Sequence, residues 1–158
     1  MDPTSLHTPA LFLDKSNPYI WKALNATALK VQAATDAAGL SRDLVELVNV
    51  RISQMNGCAF CLDLHSRLAA EAGVPIQKLQ VLPAWRRTDL FSVLERAALT
   101  VAEAVTDLPD EEELVEELSA ARTMLSDEQY SALSWVAVVI NAFNRVSIIS
   151  RHPVRRRP

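Results

Sequence analysis

Apolar residues recur at three- and four-residue intervals along nearly the whole chain, and no stretch sustains the alternation of a half-buried strand. The run from Tyr19 to about Ala38 puts Ile20, Ala23, Leu24, Thr27 and Val31 at helical spacing. Asn17-Pro18 supplies an N-cap and a first-turn proline, and Gly39 supplies the C-cap. Ser41 opens a second helix that carries Leu44, Val45, Leu47, Val48, Val50, Ile52 and Met55. That helix is apolar nearly all round, so a central position is expected. Asn56-Gly57 breaks the chain, a third helix runs from Cys58 to about Ala72, and Gly73-Val74-Pro75 ends it and opens a short helix through Leu82.

Beyond Pro83, Trp85–Asp89 reads as a loop. Ser92-x-x-Glu95 is a capping box for a helix reaching about Thr106, with Leu94, Ala97, Ala98, Val101 and Val105 on its apolar face. Pro109-Asp110-Glu111-Glu112-Glu113 begins an acidic helix whose carboxylates lie at the positive end of its dipole. Ser126-x-x-Gln129 caps a long terminal helix through about Ile149. The pattern predicts an all-α protein: an extended N-terminal arm over residues 1–16, one helical domain over 17–150, and a basic C-terminal tail over 151–158.

A length of 158 residues suffices for one domain with a real core, and 49% hydrophobic with 22% charged residues argues against disorder. A net charge of −3, with no interleaving of basic and aromatic residues, gives no case for nucleic-acid binding. The basic cluster in the tail is expected to be solvated, as are His7 and His152. Met1-Asp2-Pro3-Thr4 begins no signal-peptide pattern. The longest unbroken apolar run, Trp135–Ile140, falls far short of the ~18 residues that suggest a membrane span. A cytoplasmic protein with no membrane partner is expected.

The chemistry concentrates at Cys58-Ala59-Phe60-Cys61-Leu62-Asp63-Leu64-His65, which holds the only two cysteines. On a helix Cys58, Cys61 and His65 share one face. An imidazole can take a thiol proton near neutral pH, and a second thiol can close a disulfide on the first. Glu46 is the only carboxylate in the apolar run Leu44–Ile52. If the two helices around Gly57 fold back on each other, His65 faces roughly position 49, and Glu46 lies about one turn, ~4–5 Å, beyond it. Glu46 would then orient His65 directly or through one water. Two arguments compete over the attacking thiol. Cys58 sits where the helix dipole favours a thiolate, whereas Cys61 has His65 at i+4 and the apolar Leu64 and Leu68 nearby. The histidine tips the choice to Cys61.

The string Glu46-x11-Cys58-x2-Cys61-x3-His65 resembles the signature of the AhpD-like alkylhydroperoxidases within the carboxymuconolactone decarboxylase family. The likeness extends over Glu46–Gly73 and, more loosely, to Glu95-Arg96-Ala97-Ala98-Leu99 and Asn141-Ala142-Phe143-Asn144-Arg145. It implies an AhpD-like helical bundle and an enzyme that reduces organic hydroperoxides without a bound cofactor. Cys61 would attack the peroxide, Cys58 would resolve the sulfenic acid into a disulfide, and Glu46 and His65 would form a proton relay. A thiol or lipoyl-type reductant would restore the dithiol. One departure stands out: Phe60 occupies the place of a second histidine in well-studied members, which removes a proton carrier and makes the site more apolar.

Other readings share these residues. A thiol–disulfide oxidoreductase that meets no peroxide would use the same dithiol, and a helical assembly protein would retain it as a vestige. Zinc could take Cys58, Cys61 and His65 with Glu46 or Asp63, but structural zinc draws on separated ligand pairs, so no metal is expected. The all-round apolar helix 41–56, with Trp135, Val138, Val139, Phe143 and Ile149 on several faces of the terminal helix, exceeds what one domain easily buries. A homotrimer or homohexamer is expected, as in relatives with this motif, with the active-site helix near a subunit boundary.

Overall fold

The computed structural model describes residues 8–158 and is helical throughout its regular elements. His7 and the first part of the arm lie outside the described residues. The helices are α1 (Leu13–Ser16), α2 (Pro18–Ala37), α3 (Arg42–Asn56), α4 (Ala59–Glu71), α5 (Ile76–Val81), α6 (Val93–Asp107), α7 (Glu111–Arg122) and α8 (Asp127–Ile149), with a 3-10 turn over Leu82–Arg87 between α5 and α6. The all-α expectation holds.

Local signals explain most boundaries. Ser92 with Glu95 and Ser126 with Gln129 each form both reciprocal bonds of a capping box, which stabilises a helix start by about 1 kcal/mol. The Glu95 carboxylate also takes Lys78 Nζ at 2.7 and 2.8 Å, tying α5 to α6. Asp110 caps α7 by accepting from the Glu113 N–H. Asn17 and Ser41 stand at N-caps but make no side-chain capping bond. Asn17 is also the residue that closes α1, its N–H donating to Leu13 O, so its backbone serves two helix ends at once.

α3 is the central element. Leu47, Val48, Val50 and Ile52 have essentially no exposed surface, and burying each contributes roughly 1.5–3 kcal/mol. One face packs with α6 and α8 through Leu44, Val48, Ile52, Val101, Leu133 and Ala137. The other, through Leu47 and Val50, meets Ala69, Leu82, Trp85 and Leu99. α8 is long and apolar enough to cross a membrane by length and composition, and here it packs against α2, α3 and α6. Glu103 on α6 anchors the segment expected to be a loop: its carboxylate takes Trp85 Nε1 at 2.7 Å, Arg51 Nε at 2.8 Å and Arg86 Nε at 3.1 Å. Burial alone pushes this carboxyl up. The hydrogen bonds from Trp85 and Arg51 and the charges of Arg51 and Arg86 outweigh that and hold it below its ordinary value.

The turn between α3 and α4 positions the cysteines. Gly57 adopts φ +66°, a left-handed conformation that costs a glycine nothing. The Cys58 N–H reaches back to Ser53 O at 3.1 Å. Asn56 Nδ2 donates to Asn141 Oδ1 and Asn144 Oδ1 at 2.8 and 2.9 Å, and Asn144 Nδ2 donates to Ser53 Oγ at 3.1 Å. The end of α3 is thus fixed to α8 by a satisfied polar cluster, and the turn that follows it is fixed too.

Candidate active site

Cys58 is the N-cap of α4, and Cys61 lies one turn in. The two are joined as a disulfide with a Cα–Cα distance of 5.3 Å. Cys58 Sγ also accepts the Cys61 N–H at 3.3 Å, so the sulfur takes the role an N-cap oxygen has elsewhere. Both cysteines are nearly inaccessible, yet only Cys61 borders the largest cavity beside the motif. Among the described residues no group of three or more Cys, His, Asp or Glu side chains gathers at a spacing suited to a metal ion.

The α3–α4 hairpin brings Glu46 and His65 into direct contact. His65 Nδ1 lies 2.7 Å from Glu46 Oε2, so no bridging water is required. Asn49 Nδ2 donates to the same oxygen at 3.4 Å. Glu46 is fully buried, a costly position for a carboxylate without partners. Its Oε1 forms an ion pair with the Arg42 guanidinium but makes no directed hydrogen bond. With Nδ1–H donated to the carboxylate, the imidazole is held in one orientation and one tautomer, leaving Nε2 to exchange a proton.

His65 stands between two cavities. The first, of about 610 Å³, has Cys61, Leu64 and His65 on one wall and Phe12, Trp21, Phe60 and Phe143 among the others. Lys15 and Arg155 add positive charge to its lining. Leu64 is where the sequence reading put it, while Leu68 is not part of this wall. The second cavity, of about 310 Å³, reaches Glu46, Arg42 and Asn49 as well as His65. The pair Glu46–His65 therefore stands between an aromatic-walled chamber bordered by Cys61 and a smaller one walled largely by aliphatic side chains such as Leu29, Val45, Val136 and Ile140.

Both chain ends differ from expectation. The last residues of the arm form the single turn α1, docked on the end of α8 by Leu13 N–H to Ser150 Oγ at 3.0 Å. The expected solvated tail is only partly so. His152 is mostly buried, and Pro153 and Arg155 also line the first cavity. Arg151 makes this possible by adopting φ +51°. That conformation costs a non-glycine residue roughly 1–2 kcal/mol. It directs the His152 N–H back to Ser147 O at 3.1 Å. Phe12, Asp14 and His152 were not legible as site residues, because no local spacing joins positions 138 apart.

Comparison with known proteins agrees with this architecture. The model of the carboxymuconolactone decarboxylase family matches residues 21–104, and the chain belongs to that family. YdfG of Bacillus subtilis, an uncharacterised protein, is 36% identical over 120 residues, which is 76% of this chain and 82% of YdfG. YnjA of Escherichia coli, also uncharacterised, is 44% identical over 63 residues, covering 40% of this chain and 35% of YnjA. Among solved structures, ATU0492 of Agrobacterium tumefaciens superposes with a TM-score of 0.82 at 29% identity, covering 94% of this chain and all of that one. It is described as a protein of unknown function and a candidate antioxidant defence protein AhpD. The debrominase Bmp8 superposes with a TM-score of 0.73 at 20% identity, over 89% of this chain and 74% of Bmp8, and so shares the fold. The chain is an AhpD-like member of its family.

Proposed function

We propose that the protein is a thiol peroxidase that reduces organic hydroperoxides through a Cys61/Cys58 dithiol–disulfide cycle. The observation that carries this reading is the placement of Cys61 and His65 together on the wall of an aromatic cavity, with Glu46 fixed behind His65 at 2.7 Å. Cys61 gives its proton to His65 Nε2, and Glu46 stabilises the imidazolium that forms. The thiolate attacks the terminal peroxide oxygen, so an S–O bond forms as the O–O bond breaks. Cys61 becomes a sulfenic acid and the alcohol departs. The Cys58 thiol then attacks that sulfur, the disulfide closes and water leaves. The sum is one hydroperoxide and two thiols giving one alcohol, one water and one disulfide.

The aromatic walls favour a bulky organic peroxide over hydrogen peroxide, and Lys15 and Arg155 suit a substrate or reductant that carries an anionic group. A small dithiol or lipoyl-type group is the proposed reductant, and the cytoplasm, where such reductants are maintained, is the proposed compartment. Consumption of cumene hydroperoxide with several dithiols as electron donor tests the reading. Turnover with at least one donor is expected, and turnover no faster than that of the free dithiol would contradict it. A thiol–disulfide oxidoreductase would instead exchange with disulfides while leaving peroxide untouched.

We also propose that the protein works as a homo-oligomer, with a trimer or hexamer preferred. α3 does not supply the surplus surface expected of it, because both its faces are buried within one chain. The surplus lies elsewhere. α2 leaves Tyr19, Ile20 and Leu29 exposed, and α8 leaves Trp135, Val138 and Ile149 exposed. Apolar faces of this extent are the usual mark of a subunit contact, and both helices also wall the cavities beside Cys61 and Glu46.

A further inference from the structure

Among the polar groups of the Cys61 cavity that the thiol chemistry does not use, Asp14, His152 and Ser147 form a connected set. His152 Nε2 lies 3.0 Å from Asp14 Oδ1, and His152 Nδ1 lies 3.2 Å from Ser147 Oγ. Phe12 stacks on the imidazole with ring centroids 5.4 Å apart and planes 14° from parallel. Phe60, the residue beside Cys61, approaches the ring at 5.3 Å. Side-chain exposures of 13% for His152 and 20% for Asp14 mean that both groups have given up most of their hydration. A third aromatic ring would fill the space between Phe12 and Phe60 without that cost. What His152 adds is a path for a proton. With both ring nitrogens protonated, Nε2–H donates to Asp14 and Nδ1–H to Ser147 Oγ. The Ser147 hydroxyl proton is then free to point at a third group in the cavity.

Peroxide cleavage needs a proton at a second place. Displacement at oxygen runs in line, so the departing oxygen lies on the far side of the transferred oxygen from sulfur. His65, the member of the Glu46–His65 pair that reaches this cavity, lies one turn from Cys61 on α4 and so on the sulfur side. The departing alkoxide is a poor leaving group unless an acid meets it.

Resting on the thiol-peroxidase reading, we propose that Asp14–His152–Ser147 is the acid that protonates the alkoxide leaving an organic hydroperoxide. The alkoxide takes the Ser147 hydroxyl proton, Ser147 Oγ takes the proton of His152 Nδ1–H, and Asp14 keeps Nε2–H in place. His152 ends neutral and regains its proton from solvent. Besides the Cys61 thiol, Lys15, Arg155 and His65 are the other ionisable groups on this cavity. They set the field in which the transfer occurs.

The test separates leaving groups. In a Cys58→Ser background Cys61 is the only thiol, and three reagents are compared: iodoacetamide, perbenzoic acid and cumene hydroperoxide. The first two expel iodide or a carboxylate, which need no proton; the third expels an alkoxide. His152→Gln and Ser147→Ala should each slow the cumene hydroperoxide reaction by at least about tenfold and leave the other two rates within about threefold. Equal slowing of all three would mean that these residues only shape the cavity, and no slowing with cumene hydroperoxide would mean that they donate nothing. Either result overturns the assignment. The iodoacetamide rate reports an intact cavity in each variant, and Ser147→Ala decides alone if His152→Gln does not fold. If the Cys58→Ser protein with Asp14, Ser147 and His152 intact oxidises no faster than a free thiol with either peroxide, the peroxidase reading itself fails and takes this assignment with it.

Discussion

Glu46 and His65, on facing helices of one hairpin, meet through Oε2 and Nδ1 at 2.7 Å, and only the histidine of the two reaches the cavity that holds Cys61. This arrangement predicts that they act in series. Glu46→Gln and His65→Asn should each slow peroxide-driven loss of thiols by about 10²–10⁴. The double variant should be no slower than the worse single one. Stopped-flow measurement on the reduced proteins checks this. Losses that multiply in the double variant would show two independent roles instead of one relay.

The cysteines are predicted to have unequal fates because only Cys61 borders the cavity. After one equivalent of hydroperoxide, Cys58→Ser should hold a sulfenic acid on Cys61 that a dimedone-type probe traps. Cys61→Ser should yield no adduct. The reverse pattern would mean that the position of Cys58 at the start of α4 outweighs the histidine.

Acid sensitivity is expected to centre in part on Glu103. Its folded carboxyl titrates below the ordinary value of 4.5. Its contribution to stability is therefore fully present above that value and lost as pH falls through the lower folded one. Glu103→Gln should lower the melting temperature at pH 7, in keeping with roughly 1–3 kcal/mol for a disrupted buried charge network. The gap to the parent protein should narrow on acidification below 4.5. A gap that stays constant with pH would remove Glu103 from the acid response.

The helices were legible because their caps and periods are local. Ser92-x-x-Glu95 and Ser126-x-x-Gln129 each became a capping box, and Gly57 marked a hairpin from which the Glu46–His65 pairing follows by counting turns. The cavity was legible on one wall only. Cys61, Leu64 and His65 share a helix face, whereas Phe12, Asp14 and His152 arrive from opposite ends of the chain. Their meeting depends on the left-handed turn at Arg151 and the docking of α1 on Ser150, and neither has a composition or spacing that announces it. The same holds for Glu103, whose partners Arg51, Trp85 and Arg86 come from two other elements.

Assembly is predicted to depend on the exposed apolar stripe of α8. Trp135→Glu combined with Val138→Lys should shift the mass seen by light scattering from a multiple of the chain mass toward a single 17.4 kDa subunit. Helix content should be unchanged, since both side chains are about half exposed in the subunit. A parent protein already at the mass of one chain would contradict the assembly proposal.

The central claim is that Cys61 and Cys58 together take one oxygen from an organic hydroperoxide. Intact-mass spectrometry of the fully reduced protein, titrated with cumene hydroperoxide, tests it most directly. The expected result is loss of two hydrogens per chain at one equivalent, release of one equivalent of cumyl alcohol, and protection of both cysteines from alkylation. Two thiols that remain fully alkylatable after that treatment would contradict the account.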